Sequence, residues 1–184
     1  KVSIDEECAK DNEVNLFPDN NINVWDGTTL SQPYYEGLSK TFVINDASEL
    51  AWLSAVLNDE ITTQTPIESI NGCTLLVRNN LNFGGYAITP IRNAYNIVFD
   101  GGGYTISDLS YSKGVDYSTL FELASGTFKD INLINIKANN PENNRASALI
   151  GYFSAGSVSG VSVRNLELKG YQKLAGIIAN LSPD

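Results

Sequence analysis

The spacing of apolar residues divides the chain into three parts. Residues 1–40 show no period, and Asn and Asp crowd the stretch from Asp11 to Asp26. Those side chains hydrogen-bond to nearby backbone and favour turns over regular structure. The part reads as an arm wrapping a larger body, with a tight turn at Trp25-Asp26-Gly27-Thr28 and Pro33 barring a helix beyond it. Residues 46–58, DASELAWLSAVLN, change to helical spacing. Asp46 can cap this helix, Glu49 sits three residues later as in a capping box, and Leu50, Leu53 and Leu57 make an apolar stripe with Trp52 and Val56. Residues 41–73 are therefore expected to be a capping helix and its lead-in, a lid over the open end of a β-core rather than a partner-binding helix.

From residue 74 to residue 184 the helical period disappears. Short β-branched and aliphatic runs alternate with Gly, Asn, Asp and Ser, which is strand and turn chemistry. Leu75, Ile97, Leu120, Leu149 and Ile177 each open such a run, at separations of 22, 23, 29 and 28 residues. A second set follows glycines: Ile106, Phe128 and Val158, and three residues on Leu109, Ile131 and Val161. GTFKDINLINIK aligns over its whole length with the start of GSVSGVSVRNLELK, placing Ile131, Leu133 and Ile136 on Val161, Val163 and Leu166, and Asn135 on Asn165. Such repetition is the signature of a solenoid, in which like residues stack coil over coil. The pattern predicts an all-β protein, a right-handed parallel β-helix of about four to five coils forming a single domain with the arm and helix. Hairpins of a sandwich would also space strands evenly, but they rarely repeat apolar residues position for position.

WDGTT, DASELAWLSAVLN and FDGGGYTISDL together resemble the start of bacterial surface proteins carrying GLUG-type repeats. In that family a WDG turn precedes an A-x-E-L-A helix, here Ala47 to Ala51, and a glycine-rich segment follows, here Phe99 to Ile106. Ser147-Ala148-Leu149-Ile150-Gly151 matches the small-small-apolar-apolar-Gly repeat. Ser118 to Glu122 and Ala175 to Ala179 match in outline, each without the final glycine. The resemblance covers most of residues 24–181. It implies a parallel β-helix, a cell-surface or secreted location, and an adhesion-like or glycan-related role.

Composition narrows the partners. Twelve Lys+Arg against 21 Asp+Glu give a net charge of -9, whose field repels nucleic acid and anionic membrane surfaces. No stretch approaches the length of a membrane helix. The chain opens at Lys1 without methionine or a signal peptide, so it is read as the processed form of an exported protein, lipid-anchored or secreted. The last repeat reaches Asp184 without a capping element, and further repeats of a longer chain are expected; an uncapped end would expose strand edges and associate. Of the two cysteines, Cys8 and Cys73, a disulfide would tie the arm to the first coil, and two unrelated buried thiols are the alternative.

The candidate chemistry is sparse. Without histidine, Ser-His-Asp, Cys-His and histidine-metal sites are excluded. Gly101-Gly102-Gly103 precedes no helix and reads as a tight corner, not a phosphate loop. Asp11, Glu13, Asp19 and Asp26 could face a hard cation, but they fit no EF-hand spacing and read as a solvated arm. Asp108 and Asp130 fall on equivalent places of successive coils by spacing and would form a carboxylate pair if both faced solvent. Trp25, Tyr34 and Tyr35 are the candidate ligand-binding residues, since aromatic rings in a loop can receive a sugar, although such rings more often staple an arm down. The expected function is a non-catalytic extracellular module binding a glycan or protein surface, without cofactor or metal. The alternatives are a β-helix polysaccharide lyase or glycoside hydrolase, or a structural spacer.

Overall fold

The computed structural model describes residues 23–62, 67, 69–111, 116–139 and 145–182. Strands β1 (Tyr34–Glu36) and β2 (Thr41–Ile44) form an antiparallel hairpin. Helix α1 (Ala47–Leu57) follows, then β3 (Thr74–Val77), β4 (Leu81–Asn82), β5 (Ala87–Ile88), β6 (Ala94–Asp100), β7 (Thr105–Ser107) and β8 (Ser110–Tyr111). The later coils comprise β9 (Tyr117–Ser118), β10 (Phe121–Asn139), β11 (Arg145–Ser147), β12 (Ile150–Lys169), β13 (Lys173–Ala175) and β14 (Ile178–Leu181). Every strand pairing beyond the first hairpin is parallel among the described residues. One facet of the tube runs β2-β3-β6-β10-β12-β14, a second stacks β9-β11-β13, and β4, β7 and β5, β8 pair onward toward β10. The chain is a parallel β-solenoid of about four turns. Because β2 already pairs in parallel with β3, the tube begins at Thr41 and not at Thr74.

Columns of like side chains fill the interior. Phe42, Leu75, Phe99, Phe128 and Val158 occupy one column, and Leu81, Ile106, Leu133 and Val163 another. Phe121, Ile150 and Ile178 are in register, which stacks the preceding Leu120, Leu149 and Ile177 as expected. Ile131, Leu133 and Ile136 pair with Val161, Val163 and Leu166, also as expected. The earlier alignment is corrected: Ile106 stacks on Leu133, not on Phe128, while Leu75 meets Phe99 and Ile97 meets Gly126. The reason is that the glycines before them are not equivalent: Gly126 pairs with Ile97, whereas Gly103 stands in the corner that follows Phe99. Phe99 and Ile106 stand seven residues apart, whereas Phe128 and Leu133 stand five apart, and the extra length is the glycine corner, where Gly102 and Gly103 take φ of +59° and +77°. Phe99, Phe121, Phe128 and Phe153 meet edge-on or tilted, with centroids 5.2–6.2 Å apart, the arrangement aromatic quadrupoles favour.

Helix α1 starts where its cap predicts. The Asp46 carboxylate accepts the Glu49 amide at 3.2 Å, and Glu49 reaches back to accept the Asn45 amide at 2.5 Å. Of the expected stripe, Leu50, Leu53, Trp52 and Val56 are buried and Leu57 is half-buried, but Ala47, Ala51 and Ala55 on the other face are buried as well. The arm covers that face, with the Ser31 amide donating to the Ser48 carbonyl. At the opposite end of the tube, β14 pairs among the described residues only with Ile150–Phe153, and Val158, Val161, Val163, Leu166 and Leu168 of β12 are half-buried.

The repeat motif has a steric basis. Gly151 lies beneath Tyr117, and a Cβ there would sit 2.4 Å from the ring and 2.8 Å from the Glu122 carbonyl. The preceding coil carries Glu122 at the equivalent place. Its carboxylate is buried, accepts the Asp116 and Tyr117 amides and faces Arg92 at 3.4 Å, so the charge is compensated. The small residues Thr119 and Ser147 share a buried hydroxyl hydrogen bond of 3.0 Å across the coils.

Candidate functional site

The structure separates the three aromatic candidates. Trp25 is only 7% exposed, its indole N–H donates to the Thr29 carbonyl at 2.6 Å, and its ring lies edge-on to Phe83 and Tyr86. It staples the arm and offers no free face. Tyr34 and Tyr35 are neighbours on β1 and therefore point to opposite sides. Tyr35 tilts onto Phe42 at 4.5 Å, while Tyr34 stands opposite Val43 and is exposed.

The turn around Asp26 has a defined electrostatic role. Its carboxylate accepts both the hydroxyl and the amide of Thr29 and both the amide and the hydroxyl of Thr28, at 2.6–3.2 Å. The Thr29 hydroxyl foremost, with these backbone donors, holds the carboxyl well below the ordinary aspartate range. A depressed folded-state pKa stabilises the fold fully above the unfolded-state value of about 3.9, and that contribution fades as pH falls toward the folded value. On acidification below about pH 4, the thermal midpoint of the native chain should fall further than that of Asp26→Asn. Equal acid sensitivity of the two proteins, followed by circular dichroism, would contradict this role. A cavity of about 280 Å³ beside Asp26 and Asp46 offers little to a ligand, because both carboxylates are already engaged.

The proposed carboxylate pairing of Asp108 with Asp130 is not formed by the register. Asp108 precedes β8 at the corner where Asn135 and Asn165 follow on the next coils, whereas Asp130 sits beneath Gly160 at a different corner. The misalignment has the same cause as that of Ile106, the matching of Gly103 with Gly126, which sets strands of different facets against each other. Asp108, Asn135 and Asn165 all adopt left-handed φ, of 54°, 57° and 53°, a conformation Asn and Asp tolerate better than other residues with a Cβ. Their side chains form a ladder along the axis. Asn135 Nδ2 donates to Asp108 Oδ1 at 2.8 Å, and Asn165 Nδ2 donates to Asn135 Oδ1 at 3.0 Å. A parallel ladder on the adjoining facet links Ser162 to Asn132 and Asn132 to the Gly103 carbonyl, each at 2.7 Å.

The Asn135 ladder can be tested by separating its two contributions. Asn135→Ala removes both side-chain bonds and places a Cβ residue without polar rescue in left-handed backbone, at a cost of about 2 kcal/mol. Asn135→Gly loses the same bonds but relieves the backbone, and should cost about 1 kcal/mol less. Equal losses in urea unfolding would show that the left-handed corner is not what selects Asn.

Beside this ladder lies a concave surface. Two shallow cavities, of about 310 and 400 Å³, share Asp108, Asn135 and Lys137 and so form one trough along the solenoid axis. Val24, Asn82, Gly84, Gly85 and Ser110 line its first part, and Asn165, Leu166 and Glu167 its last. Lys137 is paired in register with Ser110 on one side and Glu167 on the other, so a different polar group is presented at each coil. Against the lining residue Gly84, just outside the trough itself, lies Tyr86, a residue the aromatic search passed over. Its ring is 49% exposed, rests over Gly27 and Gly84, and meets Trp25 edge-on at 6.1 Å. Phe83-Gly84-Gly85-Tyr86 was the signal available in the sequence: glycines clear the space against which a ring can lie flat.

The remaining candidates add no second site. Cys73 is buried, which pushes its thiol upward, and Cys8, the other half of the expected disulfide, lies outside the described residues. Asp11, Glu13 and Asp19 lie outside them as well, and among the described residues no group of three His, Cys, Asp or Glu side chains is placed to hold a metal. No described helix is long and apolar enough to cross a membrane. No known protein family, curated protein or solved structure matches this chain.

Proposed function

We propose that the chain is a non-catalytic extracellular binding module, of the kind suggested by its likeness to GLUG-repeat surface proteins, and that its ligand is a glycan. The observation that carries this reading is the Asp108–Asn135–Asn165 ladder. It holds amide and carboxylate groups in fixed, outward places on successive coils of a rigid tube. Fixed polar groups of this kind recognise hydroxyl-rich ligands at little entropic cost. The net charge of -9 favours neutral or cationic partners over phosphate polymers.

The polysaccharide-degrading alternative loses its main support, because Asp108 and Asp130 occupy different corners and cannot flank one glycosidic bond as a stacked pair. A glycan and mucin array, followed by a product assay on every hit, tests the reading. Binding with the glycan recovered intact is expected. Release of shortened sugars would make the chain an enzyme, and an array without hits would leave the spacer reading in its place.

A further inference from the structure

The trough specifies more than a class of ligand. Resting on the glycan reading above, we infer that it takes a linear, uncharged glycan lying along the solenoid axis, with Tyr86 receiving its first sugar. Direction follows from the lining: the polar groups recur coil after coil parallel to the axis, from Gly84 past Asp108 and Asn135 to Asn165. With coils separated by roughly 4.8 Å, the three steps between these four positions span about 14 Å. That is longer than a disaccharide, so the full site is filled only by an oligosaccharide.

Charge selects among glycans. Asp108 and Glu167 line the trough beside Lys137, Glu167 is paired with Lys169 at 3.2 Å, and the chain as a whole carries nine negative charges in excess. A uronic-acid polymer would set its carboxylates against that excess, whereas hydroxyl groups can donate to carboxylate and carboxamide oxygens and accept from Lys137. The Asp108 and Asn135 oxygens already used in the ladder retain a second lone pair each. Tyr86 supplies the apolar face a pyranose ring stacks on, and buried Trp25, itself braced edge-on by Phe83, meets that ring from the side.

The test uses the whole chain and length series of neutral gluco-, galacto- and manno-oligosaccharides from monosaccharide to hexasaccharide, with oligogalacturonides as the charged comparison. Titration calorimetry should show affinity rising with length and levelling once the trough is filled, with the uronic series weaker throughout. Tyr86→Ala and Lys137→Ala should each weaken binding about tenfold. Tyr86→Phe keeps the stacking face and should bind nearly as the native chain does, which separates a lost contact from a lost fold. Affinity independent of length, or preference for the uronic series, would overturn the inference. So would neutral-glycan binding that survives both alanine variants but is lost in Tyr34→Ala, and that result would leave the glycan reading standing. A chain that binds none of these sugars on the calorimeter or on the array brings down both.

Discussion

Gly126→Ala should leave little folded protein at ordinary temperature. Gly126 sits where β10 crosses β6, at φ +114°, a conformation that side chains with a Cβ rarely adopt. A Cβ there would lie 2.0 Å from the Ile97 carbonyl oxygen and 2.7 Å from the Ile97 amide nitrogen. Both atoms belong to backbone held in the sheet, so relief requires moving one coil against the next. The next coil repeats the constraint, with Gly156 at φ +126° and its notional Cβ 1.9 Å from the Gly126 carbonyl. Backbone strain and overpacking together place the cost at about 3 kcal/mol or more, a large share of the stability of a small domain. Two comparisons isolate the cause. Gly103→Ala meets positive φ but no neighbour and should lose about 1 kcal/mol, while Gly37→Ala meets neither and should be nearly neutral. Urea unfolding of the three variants measures this order, and comparable losses at Gly126 and Gly103 would mean that close packing of coils is not the constraint.

The second large effect is expected at Phe128. Its ring is fully buried between coils and meets Phe99, Phe121 and Phe153 at 6.2, 5.4 and 6.0 Å. Phe128→Ala leaves a void that parallel strands in fixed register cannot close, and should cost about 3–5 kcal/mol. Phe128→Leu restores most of the volume and should recover more than half of the loss. The neighbouring Lys129 faces outward and pairs with Asp100 at 2.9 Å, so Lys129→Ala should cost less than about 1 kcal/mol. Denaturation midpoints that fail to separate Phe128→Ala from Lys129→Ala would remove the core from this part of the tube.

What could be read in advance depended on whether the repeat was interrupted. Ile131, Leu133 and Ile136 were matched correctly to Val161, Val163 and Leu166 because the last two full coils differ by no insertion in that stretch. Helix α1 was legible because Asp46 and Glu49 act locally. The Ile106 and Asp108 alignments failed for one reason: glycines served as the common marker, but Gly103 lies in a corner after Phe99 while Gly126 lies opposite Ile97, so strands of different facets were matched. The trough was invisible for a related reason. Its members come from four coils and become neighbours only through register, although the equivalence of Asn135 and Asn165 was already legible. Trp25 was offered as a ligand platform because aromatic side chains in a turn look alike whether the arm leaves them open or folds them inward. Here the arm folds Trp25 inward, while Tyr86, lying over two glycines, keeps part of its ring in solvent.

Long-range amide-to-carbonyl couplings measured by nuclear magnetic resonance across β10 and β12 test the parallel stacking most directly. Parallel coils predict cross-strand partners that advance together at a constant offset of 30 residues, with Ser157 through Lys169 each facing its counterpart in Thr127 through Asn139. Partners that instead run in opposite senses along the two segments, as in a hairpin, would contradict the solenoid and dissolve both the ladder and the trough built on it.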